Sequence, residues 1–288
     1  MTAPIILEKR PEDQLADIQT APEKKISVVS AGALVSVIVP CCGMIEYTKL
    51  CMPSLLKYTR APFELILLDI GSLDGTSEYL AGIKAASKFR VEIVRTATDL
   101  AIADACREAV SRARGDYFVL LNNDTVLTEG WLHQLINLAN LSPALGMTGP
   151  MSNYAPPAQL VELIPYRARP KKRTSNGRVS VEEVFVDMDV INAFARDFRE
   201  KAKGKWSEVD RLAGFCLLVK RQVLDKVGLP NLEKVSELSL FDTDQLSDKA
   251  RQAGFTLGCC RDLFVHHFGT RTFSAGAPTA ENDATRTN

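Results

Sequence analysis

A chain of 288 residues, 46% hydrophobic and 24% charged, carries enough apolar material for one large α/β domain or two small ones. Lysine plus arginine and aspartate plus glutamate each total 35, so the basic excess of a nucleic-acid binder is missing. No apolar run approaches the ~20 residues that span a bilayer.

The first ten residues hold only Ile5, Ile6 and Leu7 as an apolar stretch and have no basic leader, unlike a secretion signal. The seven cysteines are odd in number, include the adjacent pairs Cys41-Cys42 and Cys259-Cys260, and contain no Cys-x-x-Cys. That fits neither a disulfide framework nor a structural zinc site. These features lead us to expect a cytoplasmic protein, with peripheral attachment to the inner face of the membrane as the one other placement they admit.

In chain order, residues 1–33, with Pro4, Pro11 and Pro22, read as a loosely attached, flexible arm. Residues 34–40 are a β-branched run ended by Pro40 and read as a buried strand. A helix over 46–58, a strand over 64–69, a helix over 76–86, a strand over 91–94, a helix over 102–113, a strand over 116–121 and a helix over 131–141 follow. This alternation, with strands apolar throughout, predicts a largely parallel sheet covered on both faces. Ligands of such sheets gather at the carboxyl ends of the strands, which singles out Pro40-Cys41-Cys42, the turn after Asp69, and Asn122-Asn123-Asp124.

The second half is less regular. Residues 165–185 are polar and proline-containing. Lys171-Lys172-Arg173 beside Pro170 reads as a solvated loop or, alternatively, a clamp for an anionic acceptor. An amphipathic helix is expected over 187–203, a strand over 214–219, and short helices over 222–227 and 242–253. From 274 to 288 the chain is small and polar, like a disordered tail.

Four stretches carry chemistry. Asp69, at a strand tip and followed by Gly71-Ser72-Leu73-Asp74-Gly75-Thr76, could accept hydrogen bonds from a base or ribose while the glycines admit a close ligand; it could equally be a strand–turn–helix connection. Asn122, Asn123 and Asp124 offer the oxygen atoms a hard cation such as Mg²⁺ or Mn²⁺ requires, or form an ordinary polar turn. Asp242 and Asp244 stand where acidic residues cap a helix, and where a general base could take a proton from a hydroxyl. His266 and His267 are two of the three histidines in the chain, and neutral imidazole is a common ligand of Mn²⁺-like ions; the third, His133, reads as structural.

In this order and spacing, from about residue 34 to 273, the stretches resemble the family 2 glycosyltransferases of the GT-A fold. Residues 35–40 look like the family's opening strand. Asp69-Ile70-Gly71-Ser72-Leu73-Asp74-Gly75-Thr76 looks like its Asp-Asn-Gly-Ser-x-Asp-Gly-Thr element, and Leu121-Asn122-Asn123-Asp124-Thr125 like its Asp-x-Asp metal motif in an Asn-Asn-Asp form. Residues 212–221 resemble the segment before its acidic motif, and residues 266–273 its closing metal-histidine element.

The resemblance implies an α/β, Rossmann-like, mostly parallel central sheet flanked by helices. Residues 34–150 would form a nucleotide-sugar-binding half and residues 151–273 an acceptor and catalytic half. It implies donor contacts at Pro40, Cys41, Asp69, Gly71, Asp74, Asn122 and Asn123, and metal binding at Asp124 with His266 or His267. The implied activity is inverting hexosyl transfer from a nucleotide-diphosphate sugar to a glycan, lipid-linked or protein acceptor. Departures from the pattern fall at Gly43, Ile70 and residues 99–102. Aligned on Leu246, the expected base position falls on Thr243, flanked by Asp242 and Asp244. Those departures motivate a second reading, a weak or inactive nucleotide- or glycan-binding relative. A nucleotidyltransferase or a dehydrogenase would need a phosphate loop or a Gly-x-Gly-x-x-Gly after the first strand, which Pro40-Cys41-Cys42-Gly43-Met44 does not supply.

Overall fold

The computed structural model describes residues 19–20, 33–96, 102–167, 169–175, 178–185, 187–229 and 242–269. The expectations of a flexible arm over 1–33 and a disordered tail over 274–288 therefore lie outside the described residues, apart from Gln19–Thr20 and residue 33 of the arm. Gln19–Thr20 forms an edge strand, β1.

The first half is a βα alternation: β2 (Val35–Cys41), α1 (Ile45–Tyr58), β3 (Phe63–Ile70), α2 (Thr76–Ala86), β4 (Val91–Thr96), α3 (Ile102–Arg112) and β5 (Tyr117–Leu121). β2 pairs in parallel with β3 and β5, and β3 with β4. β2 is buried at every residue because its alternate side chains enter two separate cores. Val35, Val37 and Val39 join Met52, Leu55 and Trp131 on one face; Ile38 joins Ala105, Ala109, Leu246 and Ala250 on the other. Helices on both faces explain strands that read as unbroken apolar runs.

The second half continues with β6 (Thr125–Val126), α4 (Trp131–Ala139), β7 (Leu145–Met151), a hairpin of β8 (Arg169–Ser175) and β9 (Arg178–Phe185), α5 (Met188–Ala202), β10 (Lys205–Glu208), β11 (Cys216–Lys220), α6 (Arg221–Val227), α7 (Thr243–Gln252), β12 (Thr256–Phe264) and β13 (His266–His267). The main sheet has the order β1-β10-β12-β7-β11-β5-β2-β3-β4. Antiparallel β11 is wedged between β5 and β7, while β12 pairs with β7 in parallel. The parallel block expected from the sequence is thus joined to a mixed extension.

Two local readings change. Residues 165–185, read as a polar loop, contain the β8–β9 hairpin, so Lys171, Lys172 and Arg173 lie on a strand. Leu145–Met151, not read as a strand, is β7. Its glycines fit because neighbours press in: a Cβ at Gly146 would lie 2.7 Å from Val223 and one at Gly149 2.9 Å from Gln159. Among the described residues, no helix is long and apolar enough to cross a membrane.

At the amino end of the parallel strands, Glu64 is buried on β3 and fully engaged. It accepts from Ser36 Oγ at 2.6 Å and from Arg114 N at 2.5 Å, and is paired with the Arg90 guanidinium. Burial works against its charge, but these donors outweigh it and hold its pKa below 4.5.

Candidate active site

The expected site residues gather at the carboxyl ends of β2, β3 and β5. Cys41 ends β2 in register with Asp69 on β3. Cys41 is fully buried in the core, its Sγ 3.8 Å from Val39 O. Pro40 lies two residues beyond Ile38, the last β2 residue in register with β5, where a missing N–H costs no ladder bond.

Asp69 is 3% exposed. Ser77 Oγ donates to its Oδ2, and Arg95 Nε lies 3.4 Å from the same oxygen, while Oδ1 is buried without a hydrogen-bond partner. Gly71 turns the chain with φ 56°. Asp74 is committed to loop structure: Oδ2 accepts from Ile45 N at 2.9 Å, and Oδ1 from Thr76 Oγ1 at 2.6 Å and Thr76 N at 3.2 Å. The residue at the N-cap of α1, Met44, is left-handed and makes no side-chain cap, so Asp74 caps that helix from a different loop.

After β5, Asn122 N donates to Phe215 O at 2.9 Å, and Asn122 O accepts from Thr125 Oγ1 at 2.8 Å. Asn123 Nδ2 donates to Thr48 Oγ1 at 2.8 Å. Asp124 follows, 1% exposed. Here the end of the described chain returns: His266 pairs with Val126 and His267 with Thr125 in the β13–β6 ribbon, and Phe268 N donates to Asp124 O at 3.0 Å.

Neighbours on a strand face opposite ways, and the two histidines separate accordingly. His267 Nε2 lies 3.3 Å from Asp124 Oδ1. Its ring stacks on Phe215, centroids 5.1 Å apart, and its Nδ1 lies 2.9 Å from Tyr154 O. His266 turns to Tyr166, whose hydroxyl is 2.9 Å from Nδ1, and to Phe268. Burial disfavours charge on both rings. For His267 the Asp124 carboxylate reverses this and raises the pKa above 6.5; for His266, burial and the neighbouring His267 pull it to about 3. The Nε2 atom of His266 is buried without a hydrogen-bond partner.

A divalent cation fits this pair. A buried carboxylate and an imidazole converge, and Nδ1–H of His267 pointing at a backbone carbonyl would leave Nε2 as the ligating atom. Among the described residues, no group of three or more His, Cys, Asp or Glu side chains could hold an ion, so further ligands would come from phosphate oxygens and water.

The acidic pair on α7 stands apart. Asp242 is the N-cap, its Oδ1 accepting from Gln245 N at 2.8 Å. Asp244 is 65% exposed and paired with Arg211 at 3.2 Å. Segment 211–215 links them indirectly to the cluster: Arg211 meets Asp244, and Phe215 stacks on His267. Tyr166, which positions His266, was not singled out from the sequence, since only its place in space marks it.

The sequence model described as "Glycosyl transferase family 2" matches residues 36–228. Among curated proteins, an uncharacterized protein of Sinorhizobium fredii is 26% identical over 236 residues, 77% of this chain but 23% of its own length. Glycosyltransferase GlyG of Streptococcus pneumoniae is 27% identical over 121 residues, 42% of this chain and 40% of GlyG. The chain thus matches well under half the length of these relatives. Among solved structures, the mannosyltransferase PcManGT from Pyrobaculum calidifontis, in complex with GDP-Man and Mn²⁺, superposes with TM-score 0.56 at 16% identity, over 85% of this chain and 60% of that one. GalNAc-T7 with UDP, GalNAc and Mn²⁺ gives TM-score 0.56 at 16% identity, over 85% of this chain and 45% of that one. At such identities the shared feature is the fold, GT-A, and with the sequence match it leads to one assignment: the chain belongs to glycosyl transferase family 2.

Proposed function

We propose that this chain is an inverting, metal-dependent hexosyltransferase, moving a sugar from a nucleoside-diphosphate donor to a hydroxyl of a glycan, lipid-linked or protein acceptor. The observation that carries the reading is the approach of His267 Nε2 to Asp124 Oδ1, 3.3 Å, in a buried setting at the carboxyl edge of the sheet. Mn²⁺ or Mg²⁺ held there would supply charge neutralisation for the departing diphosphate. Asp69 Oδ1, buried and without a hydrogen-bond partner, is suited to accept an N–H of the nucleobase. Gly71 lets the backbone approach the donor, with the backbone at Pro40 and Cys41 beside it. Asp74 holds the two loops that frame the donor, and Asn122 and Asn123 shape the turn that presents Asp124. His267 is the imidazole ligand; His266, neutral against Tyr166, backs it. Asp242 or Asp244 takes the proton of the acceptor hydroxyl. The complexes of PcManGT with GDP-Man and Mn²⁺ and of GalNAc-T7 with UDP, GalNAc and Mn²⁺ support the donor class and the ion.

A second reading, a nucleotide- or glycan-binding relative without turnover, is favoured by one observation: Asp242 is engaged as a cap and Asp244 by Arg211. Turnover separates the two. UDP, GDP or dTDP with Mn²⁺ should raise the melting temperature, and a matching sugar donor should be consumed. Asp242→Asn or Asp244→Asn should abolish transfer and leave the thermal shift intact. A nucleotide-induced shift without sugar release from any donor would establish the binding-module reading instead.

A further inference from the structure

His267 is gripped from the side opposite β6. In an antiparallel ribbon, facing residues alternate between exchanging backbone hydrogen bonds and pointing those groups outward. The bond from Phe268 N to Asp124 O, 3.0 Å, makes position 268 an exchanging one. The N–H and C=O of His267, which faces Thr125, therefore point away from β6. Asn153 meets both: its Oδ1 accepts from His267 N at 3.0 Å, and its Nδ2 donates to His267 O at 2.9 Å. A side-chain amide thus takes the place of a neighbouring strand. The next residue holds the ring. Tyr154 O lies 2.9 Å from His267 Nδ1, and the Tyr154 ring stands edge-on to the imidazole, centroids 5.5 Å apart.

This clamp has its own support. Met151 O accepts from Val265 N at 3.0 Å, and Ser152 bonds Gln159 O and Val161 N, each at 2.8 Å. Gln159, 1% exposed, donates to Pro150 O and accepts from Ala213 N, again at 2.8 Å. On the far side Gly269, with φ 75°, lies against the Tyr154 ring, where a Cβ would come within 2.8 Å. Segment 150–154 is therefore fixed before it touches His267.

The chemistry asks for asparagine. A carboxamide offers an acceptor and a donor side by side, whereas an ionised aspartate of the same shape only accepts. With Nδ1–H directed at a carbonyl, Nε2 carries the lone pair, and it faces Asp124 Oδ1 at 3.3 Å. β13 is only two residues long, so pairing with β6 alone is a short lever for aiming a ring. We infer that Asn153 is a positioning residue of the ion site: by holding the backbone of His267 it aims the imidazole lone pair beside Asp124, and so sets the affinity for Mn²⁺. It does this without touching the ion, the donor or the reacting atoms. The inference rests on the ion site proposed above. Groups that orient a metal-ligating histidine are typically worth about 10–100-fold in metal affinity.

Mn²⁺ titrations of the full chain, followed by electron paramagnetic resonance with UDP, GDP and dTDP in turn, test this. Asn153→Ala should weaken Mn²⁺ binding about tenfold or more. It should also reduce the pulsed-resonance nitrogen modulation that the parent shows and His267→Ala lacks. Asn153→Asp keeps the shape and the acceptor but not the Nδ2 donor; it should weaken binding about threefold or more, and it carries the test if the alanine chain does not fold. In a His267→Ala background, either substitution should change Mn²⁺ affinity less than about twofold. A residue that merely braces the loop would weaken binding in both backgrounds, and that result overturns the inference. So does parent-like Mn²⁺ binding by the Asn153 variants with the modulation intact. Mn²⁺ bound by the parent without nitrogen modulation also overturns it, while leaving a transfer site built on Asp124 standing. A parent that binds no Mn²⁺ with any of these nucleotides strikes the transfer reading itself, and the inference with it.

Discussion

The two ends of the central sheet treat buried charge in opposite ways. At the amino end, Glu64 has donors for both oxygens, from Ser36, Arg114 and Arg90. At the carboxyl end, buried Asp69 Oδ1 and His266 Nε2 lack hydrogen-bond partners. Buried polar groups are ordinarily satisfied, so the first end is built for stability and the second carries a cost that a ligand can offset. Asp74 complicates the division: it lies at the carboxyl end, yet each of its oxygens is spent on backbone or side-chain donors.

Breaking the functional end should give the largest effect. Asp124→Ala removes the oxygen partner of His267, and transfer should fall about 100-fold or more with loss of the Mn²⁺-dependent thermal shift. A shift that survives in this variant would move the ion elsewhere. At the stabilising end, Glu64→Gln should cost about 2–3 kcal/mol, measured by urea unfolding, because Arg90 and the Arg114 amide lose a buried anion. The parent should also show an acid signature. The Glu64 pKa is lower in the folded than in the unfolded chain, so its contribution is complete above the ordinary carboxylate range and is lost as pH falls below about 4.5. The variant's stability should be flatter there.

Asp74→Ala tests which class that residue belongs to. Removing the cap shared by α1 and the start of α2 should cost about 1–2 kcal/mol, with the Mn²⁺-dependent shift retained. Smallest of all, Asp244→Asn should change stability by less than about 0.5 kcal/mol, because its pair with Arg211 is solvent-exposed; any large loss of transfer in that variant would then be chemical.

The first half of the fold was legible because β2, β3 and β5 are buried on both faces and read as continuous apolar runs. The second half hid its strands. β7 carries Gly146, Gly149 and Pro150, residues that speak against a strand until the side chains of Val223, Phe255 and Gln159 are seen filling the space above them. The β8–β9 hairpin was masked by its charge, which reads as a loop unless the partner strand is known.

In the site, the sequence brought Asp124 and the histidine pair to notice, but not which ring meets the carboxylate. Strand alternation decides that, and it depends on β13 pairing with β6. Likewise Asp74 offered a carboxylate in a motif, while its partner, the Ile45 amide on another loop, exists only in space.

That β13–β6 ribbon has a consequence for how the molecule comes into being. Thr128 Oγ1 reaches Phe264 O across 136 residues of chain, and His267 closes on Asp124 over a similar span. Contacts this distant form late, after the loop between them has been closed at an entropic cost. The approach of His267 to Asp124 therefore forms only once β13 has folded back onto β6, after the parallel block of β2, β3, β4 and β5 is in place.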